Sequence, residues 1–119
     1  MRTLLLALFL FACGGPSAQP APGQTALVLQ VNYSVSGVDH WHITGVVLTT
    51  GRSFGPYDAQ GDNVSSGQTV GLVFDPSDAG AAMVCVEARD GITPRASACS
   101  AFQIKANDVS QGSIDLHND

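Results

Sequence analysis

The run from Ala81 to Ala106, AAMVCVEARDGITPRASACSAFQIKA, decides the fold. Two alternating segments, AAMVCVEAR and ASACSAFQIKA, flank Asp90-Gly91-Ile92-Thr93-Pro94, a run dense in turn formers. Facing residues in an antiparallel hairpin have a constant index sum. If Cys85 faces Cys99, that sum is 184 and the hairpin centres on Ile92, inside the turn. The same register sets Val84 opposite Ser100, Val86 opposite Ala98 and Ala88 opposite Ala96. Even positions, extended to Phe102 and Ile104, then form an apolar face, while Cys85, Glu87, Cys99, Gln103 and Lys105 face solvent. A one-residue slip would reverse the faces of one strand against the other. Register, turn and face agree, so a Cys85–Cys99 disulfide is predicted on the outer face of a sheet. Chain entropy alone assigns a bridge closing a loop of this size about 3 kcal/mol. The hairpin already closes the loop, so the gain is nearer half of that. Cys-x-x-Cys spacing is absent, which argues for stiffening and against redox work.

The same period of two continues on both sides. In TALVLQVNYSV (25–35), Leu27, Leu29, Val31, Tyr33 and Val35 share one face. Ser36-Gly37-Val38-Asp39 is turn chemistry. HWHITGVVL (40–48) places Trp41, Ile43 and Val47 together, and QTVGLVF (68–74) does so with Val70, Leu72 and Phe74. GRSFGPYDAQGDNVSSG (51–67) reads as a Gly-punctuated loop with a short edge strand near Phe54. In DPSDAG, Asp75 can cap a single helical turn that Pro76 opens. SIDLH (113–117) is a last strand, and no window carries a helical stripe. The expected fold is all-β: a single antiparallel β-sandwich of about seven strands over residues 25–119. It resembles immunoglobulin-like and fibronectin-like domains in architecture alone, because Cys85 and Cys99 are too close for the antibody inter-sheet bridge.

Residues 1–12 have a different logic. Met1 and Arg2 precede an unbroken apolar run, Leu4 to Ala12, which is too short to span a bilayer. This is the layout of a removable secretory signal. Leu10-Phe11-Ala12-Cys13 resembles the lipobox of bacterial lipoproteins, in which the cysteine is acylated and becomes the mature N-terminus. Phe11 departs from the pattern, which prefers a smaller residue there, and an ordinary signal cleaved nearby is the alternative. The resemblance makes Cys13 the lipidation site, and Gly14 after it points to the outer membrane. Cysteine arithmetic agrees: with Cys13 lipidated, Cys85 and Cys99 remain as an even pair in an oxidising compartment. Residues 13–24 then comprise the lipidated cysteine and a flexible Gly/Pro tether, which extends up to about 30 Å. Processing at Cys13 removes Arg2 and leaves four basic against ten acidic residues, 4 − 10 = −6. Such a domain repels nucleic acid and anionic lipid surfaces, so the lipid itself is the expected membrane contact. Beside a bacterial lipobox, the Asn-x-Ser triplets at Asn32 and Asn63 carry no glycan expectation.

Candidate sites are few. His40 and His42 flank Trp41 and share a strand face, with Cβ atoms roughly 6.5–7 Å apart. They could hold Zn²⁺ or Cu²⁺ if Asp39, Asp115 or His117 supplied a third ligand. They are equally the outward neighbours that a buried Trp41 requires. Asp58, Asp62 and Asn63 in one loop, and Asp75 and Asp78 in another, could gather oxygen ligands for Ca²⁺. They are also ordinary turn residues. Phe54 and Tyr57, with Asp58 and Asp62, form a possible ligand loop; the two rings could instead close the end of the sandwich. Gly-x-Ser-x-Gly, His-Glu-x-x-His and phosphate-loop motifs are absent. The expectation is a non-catalytic, lipid-anchored cell-envelope protein without a cofactor, whose partner is an envelope protein or glycan. The alternatives are a periplasmic metal-binding domain using His40 and His42, and an enzyme with an unrecognised site.

Overall fold

In the computed structural model the described residues are 20–60 and 64–118. They form β1 (Thr25–Asn32), β2 (His40–Val47), β3 (Arg52–Gln60), β4 (Thr69–Phe74), β5 (Gly80–Asp90), β6 (Thr93–Ile104), β7 (Val109–Asp115) and β8 (His117–Asn118). Two sheets face each other, ordered β4-β1-β7 and β3-β2-β5-β6-β8. The all-β sandwich is thus present, with seven full strands and a two-residue eighth. Asp75 caps the 3-10 turn Pro76–Asp78 by accepting from the Ser77 N–H, as its sequence predicts.

The β5–β6 ladder follows the index sum of 184 from Gly80–Ile104 through Cys85–Cys99 to Ala88–Ala96. It then shifts, and Arg89 faces Pro94 while Asp90 faces Thr93. The loop is Gly91-Ile92 alone, so the turn is half a residue from where a constant register centres it. A bulge absorbs the spare residue. That lets a two-residue turn close with Gly91 at φ 62°, a primed-turn conformation open to glycine at its first position.

One ladder departs from the antiparallel expectation: β7 runs parallel to β1. β6 ends where β1 begins, and the chain crosses to the other sheet there. The Ala26 N–H donates to the Asp108 carbonyl (3.1 Å), and the Asn107 N–H donates to Thr25 Oγ1 (2.7 Å). Both strands therefore start at the same end, and parallel pairing follows. This is the proximal end of the sandwich; the end holding His40 and the Gly91-Ile92 turn is distal.

The core fills the space between the sheets with Leu27, Leu29, Val31, Trp41, Ile43, Val84, Val86 and Ile104, all essentially inaccessible. Trp41 donates its Nε1–H to the Tyr33 hydroxyl (3.2 Å), and the two rings meet edge to face. At Gly112 a Cβ would lie 2.6 Å from the Phe102 ring, so only glycine lets β7 approach there.

The expected loop at 51–67 is corrected by the structure. Residues 52–60 are a nine-residue edge strand, β3. Its pairing with β2 shifts between Ile43 and Gly45, so Gly55 and Pro56 together oppose Thr44. The extra residue puts Phe54 and Tyr57 on the same inward face although they are three apart. Phe54 packs edge to face on Phe74 (centroids 5.4 Å apart) and fills the space above Gly45, where any Cβ would overlap its ring.

Candidate functional site

Alternation along β2 drives Trp41 and Ile43 inward, so His40 and His42 face out, half-buried, on the five-stranded sheet. Neighbouring strands set what surrounds them. The β2–β3 register puts Asp58 directly opposite His42, and the β2–β5 register puts Glu87 on its other side. His42 Nδ1 lies 3.0 Å from Asp58 Oδ1, and His40 Nε2 lies 3.9 Å from the same oxygen. His40 Nδ1 is 2.6 Å from Asp39 Oδ1. Arg89, beside His40 on β5, donates its Nε–H to Glu87 Oε1 (2.7 Å). The result is a polar field at the distal end of the outer sheet face.

Asp39 is the most constrained member. Besides His40, it accepts from the Gly91 N–H through Oδ2 (3.0 Å), and its own N–H donates to the Arg89 carbonyl (2.9 Å). The His40 hydrogen bond and then the Gly91 N–H hold its carboxyl below the usual range. The carboxylate thereby ties the start of β2 to the β5–β6 turn.

None of the three carboxylate or imidazole groups named as third metal ligands completes a site with both histidines. Asp39 meets His40 Nδ1, and Asp58 meets His42 Nδ1, each as a hydrogen-bond or ion-pair partner. Asp115 belongs to the other sheet, where it accepts from Asn32 Nδ2 (3.0 Å). His117 pairs in register with Ser97 on β6, and β5 and β6 separate it from His42. Among the described residues no three His, Cys, Asp or Glu side chains are gathered to hold a metal ion.

The other candidates disperse as well. Asp62 and Asn63 lie outside the described residues, as does Cys13. Asp75 spends its Oδ1 on Ser77, accepting from N–H (3.0 Å) and from Oγ–H (2.8 Å). Asp78 is 2 % exposed and already has a cation: Arg52 Nη2 lies 3.3 Å from Oδ1, which also accepts from Thr50 Oγ1 (3.3 Å). Phe54 and Tyr57 are core residues of β3 and present no rings to a ligand loop. The Tyr57 hydroxyl is buried without a hydrogen-bond partner among the described residues, and burial pushes its pKa up to about 12.

Cys85 and Cys99 are joined in a disulfide across the β5–β6 pair, with Cα atoms 4.0 Å apart, on the outer face beside Thr44. The bridge lies within one sheet and does not cross the sandwich. Sequence reasoning missed Asp58, Glu87 and Arg89 as neighbours of the histidines. The signal for Asp58 was available: His42 and Asp58 share the index sum of a β2–β3 hairpin with His40 and Gln60. Gly55-Pro56 hides it by breaking the alternation. Among the described residues no helix is long and apolar enough to cross a membrane. The chain matches no protein-family model and no curated protein.

Proposed function

We propose that the protein is a non-catalytic, lipid-anchored cell-envelope protein of a bacterium, held at the outer membrane through Cys13. Its β-sandwich serves as a binding or structural module. The observation that carries this reading is the Cys85–Cys99 bridge: it accounts for two of the three cysteines and leaves over the one that follows Leu10-Phe11-Ala12. The composition of residues 14–19 suits a tether that holds a domain off the lipid surface; the expected tether does not extend to residue 24, because Pro20 is buried and Ala21 and Gln24 close a turn, the Gln24 N–H donating to the Ala21 carbonyl (3.2 Å). Support for a contact role comes from the outer face of the five-stranded sheet, where His42, Asp58, Glu87 and Arg89 present hydrogen-bonding groups on rigid strands. An envelope protein or glycan is the partner such a face suits.

The test is fractionation. Cys13→Ser is expected to move the protein from membranes to the soluble fraction and to abolish acyl labelling. Wild-type protein recovered soluble, with its N-terminus at Gly15 or later, overturns the anchor.

A further inference from the structure

The Cys85–Cys99 bridge is placed asymmetrically in its sheet. Cys85 lies on β5, the middle strand of five, between β2 and β6. Thr44 of β2 faces it across the ladder, and alternation puts Met83 and Glu87 on either side of it along β5 on the same face. Cys85 is half-buried there, whereas Cys99 is exposed. Cys99 lies on β6, whose far side carries the two-residue β8, paired with Ala96 and Ser97. Among the described residues no strand pairs with β6 beside Cys99 on that side. Its outer-face neighbours along β6 are Ser97 and Ala101, both short.

Thiol–disulfide exchange is an in-line displacement, and its rate depends on access to the sulfur that is attacked. The entering sulfur approaches from the side opposite the leaving one. The bridge spans β5 to β6, so the approach to Cys99 Sγ comes in over the edge of the sheet. The approach to Cys85 Sγ comes in over Thr44 and β2. Only the first of these paths starts from a residue that is exposed.

We infer that the bridge is a one-sided thiol-exchange site, at which a thiol from outside the chain becomes linked to Cys99. The incoming thiolate forms a bond to Cys99 Sγ, the Cys85–Cys99 bond breaks, and its electron pair leaves on Cys85 Sγ, which takes up a proton. One disulfide is exchanged for another, so no further oxidant or reductant enters. The product carries the remainder of the thiol on Cys99, at the sheet edge, where it extends into solvent. A remainder on Cys85 would have to fit among Thr44, Met83 and Glu87. The fold tolerates the opened bridge, because the β5–β6 ladder runs unbroken from Gly80–Ile104 to Ala88–Ala96 through backbone pairing. Cys-x-x-Cys spacing would mark a catalyst of exchange; here the bridge is its substrate. This inference does not rest on the lipid anchor.

Limited exchange tests it on the oxidised full-length chain in detergent micelles. The probe is 2-mercaptoethanol, at a concentration that opens a small fraction of the bridges. Acid quenching then protonates the thiolates and freezes exchange, and peptide mass mapping locates the adduct. The expected result is roughly tenfold more adduct on Cys99 than on Cys85, as access to the attacked sulfur dictates. Equal amounts, or an excess on Cys85, overturn the inference. The same chain unfolded in urea should give the two adducts in near-equal amounts, because folding no longer shields Cys85. A preference for Cys99 that persists in urea overturns the geometric cause and traces the difference to local sequence.

Discussion

Two hairpins of the same sheet, β5–β6 and β2–β3, behave oppositely under sequence reading. In β5–β6 the register holds for nine consecutive pairs, from Gly80–Ile104 to Ala88–Ala96, before its only shift, next to the turn. Alternation survives there, and Cys85 and Cys99 mark the pairing. In β2–β3 the shift falls in the middle, where Gly55 and Pro56 face Thr44. Past that point β3 changes parity, so Phe54 and Tyr57 both enter the core and period-two logic fails. The lesson is positional. A bulge beside a turn leaves a strand legible, and the same one-residue insertion at mid-strand disguises the strand as a loop.

The comparison can be broken most sharply at Phe54. If β3 is a core strand, Phe54→Ala costs about 3–5 kcal/mol, measured by urea denaturation. A loop residue would cost under about 0.5 kcal/mol, in the range of surface substitutions. On the other hairpin, Cys85→Ala with Cys99→Ala should lower stability by about 1–3 kcal/mol without abolishing folding, because β5 and β6 remain paired by their backbones. A mass-mapped peptide linking the two cysteines in oxidised protein checks the bridge itself.

Tyr57 sharpens the contrast with an effect of opposite sign. Its hydroxyl is buried without a partner among the described residues, so Tyr57→Phe should raise stability by about 1 kcal/mol. The pH dependence follows from the same burial. The folded state holds the phenol neutral to about 12, against 10.0 for an ordinary tyrosine. The folded state therefore binds the proton more tightly. The stability this contributes is complete below pH 10 and is lost as pH rises through about 12. Denaturation across that window should show a smaller loss in Tyr57→Phe than in wild type, with Tyr33, also raised by burial, supplying part of the remainder. The smallest effect belongs to the outer face. Asp58→Ala removes a half-exposed partner of His42 and should cost less than about 1 kcal/mol, shrinking further with added salt.

Much of the site was legible one residue at a time. Trp41 faces inward and its histidine neighbours outward because alternation along a strand is a local property of the chain. What surrounds the histidines was not legible, because Asp58, Glu87 and Arg89 reach them across ladders whose registers the local sequence does not announce. Asp78 illustrates the same limit: an acidic turn residue reads as solvent-facing until Arg52, at the start of β3, is found beside it.

The sequence by itself determined the all-β class, the cap at Asp75, the inward faces of β1, β2, β4, β5 and β6, and the Cys85–Cys99 register. All of these rest on period and spacing within a few residues or within one hairpin. The expected last strand at 113–117 is instead split between β7 and β8. Only the tertiary structure decided that 52–60 is a strand, that β7 lies parallel to β1, and that Asp39 ties His40 to the Gly91 turn. Those features depend on contacts between segments far apart in the chain. Their energy comes from burying Phe54, Tyr57 and Ile114 between two sheets, and no local pattern of residues encodes which distant strand will supply the other side.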